Sequence, residues 1–290
     1  MTTINLHEVE RSIEYIERDG LNLALHAWRP EAPRAAIFYF HGLQSHAGWL
    51  WEVGCQFARN GVALYVLDRR GCGISGGERN EIPAPEICLA DYRAAIAHVR
   101  EEVGHDIPLG LFGHCLGGSF LAALMADPQF DVPYDAAIFC SAWLGKLHHT
   151  LSPAELQSIL SDKRSGYWDA GLKAEQFTGI PKYVEFIRND VLSTRQISHD
   201  SRAALAQLEQ MYVDRRDLHL KAPSIYISGN DDPIVDLYAA KRQYARMFGN
   251  AGEILELPTQ KHFLLFTPVR SGLINAVTSY VSCYGHTHYG

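Results

Sequence analysis

Apolar residues along the chain follow two rhythms. Short unbroken runs, Ala35–Phe40, Ala63–Leu67, Leu109–Phe112, Ala136–Cys140 and Ser224–Ile227, predict strands buried on both faces. Between them, apolar and alanine positions recur at helical spacing over Leu50–Asn60, stopped by Gly61, and over Ile87–Val103, stopped near Gly104. Glu253–Leu257 predicts the last strand and Val269–Val281 a closing amphipathic helix. Only the beginning alternates: Arg11–Glu17 and Leu21–Arg29 predict a hairpin turned at Asp19-Gly20. Strands alternating with helices predict an α/β fold, a mostly parallel sheet flanked by helices.

One stretch breaks the rhythm. From Leu144 to about Leu220 there is no buried-strand run, only helical patterns at Pro153–Leu160, Val184–Val191 and Asp200–Tyr212 between polar loops. Residues 1–143 and 221–290 therefore predict one core, and 144–220 a helical cap inserted over the strand C-termini, where α/β sheets bind ligands. The aromatic residues Trp143, Tyr167, Trp168, Phe177, Tyr183, Phe186 and Tyr212, with Trp49 and Trp51, are expected to fill the cap and its seam, a few lining an apolar pocket. Lys146, His148 and His149 read as solvated rim residues.

Composition narrows the picture. With 290 residues, 47% of them hydrophobic, the chain can bury a full core without disulfides or metals. Its 26 basic and 33 acidic side chains give a net charge of −7, with no cationic surplus to neutralise phosphates, so a nucleic-acid partner is not expected. No apolar stretch approaches the ~18 residues of a membrane span, and Met1–Arg11 lacks the pattern of an export signal. The six cysteines form no CxxC pair and read as reduced thiols of a cytoplasmic protein. His286 and His288 are too sparse for a metal site, and no cofactor or metal is expected.

Four segments carry chemistry. Gly113-His114-Cys115-Leu116-Gly117-Gly118 follows a buried strand and opens an Ala-rich helix, the setting of a nucleophile elbow. There the helix N-terminus favours a thiolate on Cys115. His41-Gly42-Leu43, past another strand, lets the chain turn sharply, so the N–H groups of Leu43 and Leu116 are candidate donors for an oxyanion. His41 is expected to brace that loop. Asp232, on a loop after Gly229, suits an acid that orients a histidine; Asp231 instead reads as the cap of a helix beginning near Pro233. His262 lies on the loop after the last strand.

These segments, in this order, resemble the α/β-hydrolase fold family, and specifically its monoacylglycerol lipase / serine aminopeptidase S33 (lysophospholipase-like) group. His41–His46 matches that group's HGxxxH loop, and Asp68–Arg79 its D-x-x-G-x-G-x-S-x-G-x-R loop. Gly113–Gly118 matches its GHSxGG elbow, except that Cys115 stands where the group has serine. The resemblance implies an α/β-hydrolase fold with a helical cap insertion. It also implies Cys115, Asp232 and His262 as the catalytic triad, Leu43 and Leu116 as the oxyanion hole, and His41, Gly42, Gly113, His114 and Gly117 as supporting residues. Dienelactone hydrolases and polyhydroxyalkanoate synthases provide precedents for cysteine in related elbows.

The function expected is cleavage of a carboxylic ester or thioester through a thioester acyl-enzyme, acting on a small or carrier-bound acyl substrate. Two alternatives keep the fold: an acyltransferase or cyclase using an acceptor other than water, and a catalytically silent ligand-binding protein. An engineered Ser→Cys variant of a serine esterase would give the same sequence. Substrate identity and oligomeric state leave no signature.

Overall fold

The opening hairpin forms as expected: β1 (Val9–Arg18) pairs antiparallel with β2 (Leu21–Pro30), and Asp19 and Gly20 turn the chain at positive φ. The chain then alternates through β3 (Ala35–Phe40), α1 (Trp51–Arg59), β4 (Val62–Leu67), α2 (Pro85–Val103), β5 (Leu109–His114), α3 (Leu116–Ala126) and β6 (Ala136–Cys140). A long excursion follows: α4 (Lys146–Thr150), α5 (Pro153–Leu160), β7 (Tyr167–Asp169), α6 (Ala174–Phe177), α7 (Pro181–Asn189), β8 (Gln196–Ser198) and α8 (His199–Gln210). The chain returns through β9 (Ser224–Gly229), α9 (Leu237–Phe248), β10 (Gly252–Leu257) and α10 (Arg270–Tyr284). This computed structural model describes residues 9–162 and 164–284, so His286 and His288 lie outside the described residues.

The eight-stranded sheet has the order β1-β2-β4-β3-β5-β6-β9-β10, parallel from β4 onward. Each residue of β3, β4, β5, β6 and β9 is buried, which is why those segments appear as unbroken apolar runs. The parallel strands end along one edge, and the loops after β3, β5, β9 and β10 carry His41, Cys115, Asp232 and His262. Among the described residues no helix is long and apolar enough to cross a membrane.

The structure revises several expectations. The excursion holds a small antiparallel ribbon, β7 with β8, whose three-residue strands are too short to show as apolar runs. Helix α7 starts at Pro181, three residues before Val184, because proline suits the first helical turn. Helix α9 does not begin near Pro233 and Asp231 does not cap it. The N–H groups of Ile234 and Val235 are spent on Asp232 Oδ1, and the helix begins at Leu237 under an Asp236 cap. Tyr167 and Trp51 are exposed, whereas Trp49, Trp143, Phe177, Tyr183 and Tyr212 are buried as expected of the seam.

Candidate active site

Cys115 joins β5 to α3 at φ 52°, ψ −123°, a backbone conformation that costs roughly 1–3 kcal/mol for a residue with a side chain. Three backbone hydrogen bonds impose it: Cys115 N–H donates to Cys140 O at 3.1 Å, and Cys115 O accepts from Gly118 N at 3.0 Å and Trp143 N at 2.8 Å. The turn also needs bare backbone around it, since a Cβ on Gly117 would sit 2.0 Å from the carbonyl oxygen of Phe40, and one on Gly113 2.7 Å from that of Gly117. The sulfur thus stands at the N-terminus of α3, beside the Leu116 N–H.

His262 Nδ1 and Asp232 Oδ2 are 2.8 Å apart, both side chains wholly buried. Asp232 Oδ1 accepts from Ile234 N (2.8 Å) and Val235 N (3.0 Å), so its carboxylate has a donor on each oxygen. Burial opposes its charge, but His262 and the two N–H groups hold Asp232 below the usual carboxylate range. Burial likewise opposes charge on His262, yet Asp232 and Cys115 together raise its pKa well above the usual imidazole value. For Cys115, burial raises the thiol, while the charge of His262, the Leu116 N–H and the charge of Lys146 bring it below its ordinary value. Among the described residues no hydrogen bond of ordinary geometry closes on the buried Nε2 of His262, although Cys115 and His262 lie near enough for each to shift the other's pKa; such contacts commonly tighten only when substrate binds. These directions favour a thiolate–imidazolium pair.

The loop after β3 is rigidly held. The N–H of Arg69 donates to His41 Nε2 at 3.1 Å, leaving Nδ1 to donate to Gly42 O at 2.9 Å, so His41 is neutral. Burial, then the charge of Arg69, pushes its pKa well down. The guanidinium of Arg69 donates to His41 O (2.8 Å) and Gly42 O (3.0 Å), and Gly42 N donates to Ser45 Oγ (3.1 Å). Gly42 lies against Cys115, where an added Cβ would be 3.2 Å from Cys115 Cβ. His114, between Tyr39 and His262, shares a hydrogen bond with His262 O at 3.3 Å and is pushed down to about 3 by burial and the neighbouring His262 charge.

The excursion clasps the segments that follow β3, β6 and β10. Asp190 accepts from Trp49 Nε1 (2.7 Å) and His46 Nε2 lies 3.0 Å from the same oxygen, on the stretch following the His41 loop. His262 N and Phe263 N each donate at 3.0 Å to the carbonyls of Gln176 and Phe177. Tyr212 bonds Gly145 N and Ser119 Oγ, and Glu209 accepts from Trp143 Nε1, Leu147 N and His148. Cys115 is left 3% exposed and His262 not at all. Lys146 and His148 are not solvated rim residues: they are half-buried in α4 and bond Ile234 O and Glu209, whereas His149 is exposed as expected, with Nε2 3.2 Å from Gln243 Oε1. The roles of Arg69, Asp190, Glu209 and Lys146 were not read from the sequence. The signal available for Glu209 was a lone acid directly after the mostly apolar stretch Ala203–Leu208, one turn before Tyr212.

Residues 31–268 match the family described as serine aminopeptidase, S33. Over 266 residues, 90% of this chain and 93% of the relative, the sequence is 23% identical to the monoacylglycerol lipase of Mycolicibacterium smegmatis. Over 124 residues, 41% of this chain and 38% of the relative, it is 29% identical to thiohydrolase aneE of Aspergillus aculeatus. The crystal structure of a soluble variant of monoglyceride lipase from Saccharomyces cerevisiae, bound to a substrate analog, superposes with a TM-score of 0.79 at 17% identity, covering 94% of this chain and 96% of that one. With the family match spanning both sides of the excursion and the sheet superposing on a lipase of known structure, the chain belongs to the serine aminopeptidase S33 family and has the α/β-hydrolase fold.

Proposed function

We propose that the protein is a hydrolase of the esterase type that cleaves a carboxylic ester or thioester, with Cys115 as nucleophile, His262 as general acid and base, and Asp232 as its orienting carboxylate. The observation that carries this reading is the wholly buried 2.8 Å contact between Asp232 and His262 beside a cysteine in a strained strand-to-helix turn. A ligand-binding protein has no use for an oriented base. Relatives named as a monoacylglycerol lipase and a thiohydrolase support the bond type.

The Cys115 thiolate attacks the carbonyl carbon and forms the C–S bond. The displaced electron pair collects on the carbonyl oxygen, where the N–H groups of Leu43 and Leu116 receive it. Collapse of this intermediate breaks the bond to the leaving group, which takes the proton from His262 Nε2, leaving a thioester on Cys115. His262 then accepts a proton from water as its oxygen attacks the thioester, and the thiolate departs as the acid forms. Asp232 compensates the imidazolium at both stages.

Intact-mass spectrometry after exposure to a panel of acyl esters and thioesters tests the proposal. An acyl mass increment that disappears in Cys115→Ala is expected; acylation that persists in that variant overturns it. Cys115→Ser, run in parallel, reports whether sulfur is the working nucleophile. A second reading, transfer to an amine, alcohol or thiol acceptor, is favoured by the closure over Cys115, because exclusion of water prolongs a thioester intermediate. A product ratio that shifts when an acceptor is added supports transfer.

A further inference from the structure

We propose that Lys146 recognises an anionic group, a carboxylate, on the substrate bound at Cys115, and so helps determine specificity; this rests on Cys115 being the nucleophile. Lys146 opens α4, three residues beyond Trp143, whose N–H binds the carbonyl of Cys115 at 2.8 Å. Its Nζ donates to Ile234 O at 2.8 Å and lies 4.8 Å from the centre of the Trp143 ring. Ile234 is also the residue whose N–H holds Asp232. The ammonium therefore stands between the loop that flanks the nucleophile and the loop that carries the acid.

An ammonium has three donors, and Lys146 spends one on a carbonyl. Among the described residues no carboxylate lies within ion-pair distance of it, although the acids of the adjoining loops are all engaged. Glu209 is bound by Trp143 and His148, Asp232 by His262, Ile234 and Val235, and Asp236 by Ala239 N. A half-buried cation without a counter-ion is costly unless an anion completes it. Its charge acts on the thiol of Cys115, which puts it within electrostatic range of the reacting centre. The flexible lysine stem lets the ammonium follow a docked carboxylate while the Trp143 ring supports it.

The carboxylate can belong to the acyl chain or to the leaving group, and three thioesters separate these sources. They are S-pentanoyl-N-acetylcysteamine, which is neutral; its S-glutaryl counterpart, with the charge on the acyl side; and S-pentanoyl-3-mercaptopropionate, with the charge on the leaving side. The wild-type protein is expected to prefer one charged thioester over the neutral one in kcat/KM. Lys146→Met is expected to cut that preference roughly 10- to 100-fold, Lys146→Arg to retain most of it, and Lys146→Glu to reverse it. No preference in the wild-type protein, or an equal fall for all three thioesters in Lys146→Met, overturns the proposal; the latter is the signature of a purely structural tie to Ile234. If the neutral thioester acylates Cys115 without any carboxylate preference, this inference alone fails, whereas absence of acylation by all three removes the nucleophile reading as well.

Discussion

The guanidinium of Arg69 holds the carbonyl of Gly42 at 3.0 Å and, through its other nitrogen, the carbonyl of His41 at 2.8 Å. A peptide group is planar and trans, so fixing the Gly42 oxygen toward Arg69 turns the Leu43 N–H the opposite way. Among the described residues that N–H has no acceptor. Arg69 is thus a positioning residue for one of the two proposed oxyanion donors. Arg69→Met is expected to lower kcat by about 10²–10³, the effect of losing one such donor, with KM changed far less. It also leaves the buried carbonyl of His41 without its donor, at about 1–3 kcal/mol, while the carbonyl of Gly42 keeps the Nδ1–H of His41. A folded Arg69→Met protein with undiminished kcat contradicts the assignment.

The directions of the shifts at Cys115 and His262 predict a pH profile. The thiol is held below its ordinary value and the imidazole above its own, so thiolate and imidazolium coexist across the window between them. Alkylation of Cys115 by iodoacetamide should fall only as pH drops through the lowered thiol pKa. In His262→Ala the main opposition to burial is gone, so the same fall moves to higher pH. Comparing the two profiles cancels slow opening of the site, common to both proteins. Superimposable profiles would exclude the ion pair.

The positions of these groups were legible because they lie at the ends of strands buried on both faces. Continuous runs such as Ala35–Phe40 mark the strand ends, and Gly113, Gly117 and Gly118 mark a turn where backbone approaches backbone. What supports the site was not legible, for a physical reason. Asp190, Glu209 and Lys146 act across sequence separations of 144, 66 and 88 residues, and a polar side chain in a helical pattern looks the same whether it faces water or a partner. Helix α9 was misplaced for a related reason: Ile234 and Val235 have helix-compatible side chains, but their N–H groups serve Asp232.

Asp68 should tie stability to acid. It is buried, accepts from Ala47 N (2.7 Å) and Ile74 N (3.0 Å), and lies 3.2 Å from His26 Nε2, joining β2, the loop after β3 and the Asp68–Arg79 loop. Burial raises its pKa, but His26, then His41 and the Ala47 N–H, outweigh that and lower it to about 2. A folded-state pKa below the unfolded value means that its contribution is fully present above the unfolded pKa, near 4, and is lost as pH falls toward 2. The contribution is on the order of 2 kcal/mol. Urea unfolding between pH 5 and pH 2 should show Asp68→Asn losing less stability with acid than the wild type; parallel curves would refute this.

Glu209 is the test of how the excursion closes the site. Its buried carboxylate receives Trp143 Nε1 (2.6 Å), Leu147 N (3.1 Å) and His148 N (3.0 Å), with His148 Nδ1 at 2.8 Å, and so pins the start of α4 and the residue that bonds Cys115 O. In Glu209→Gln one oxygen becomes an NH₂ group that cannot accept, and it faces the His148 donors. The expected loss is about 2–4 kcal/mol, a fall in Tm of roughly 3–7 °C for a chain of this size. Loosening Trp143 should also expose the sulfur, since Cys115 is only 3% exposed beneath these clasps. Iodoacetamide should then label Cys115 faster in Glu209→Gln than in the wild type at a temperature where both are folded. Destabilisation without faster labelling would mean that Glu209 supports the excursion but does not gate the sulfur.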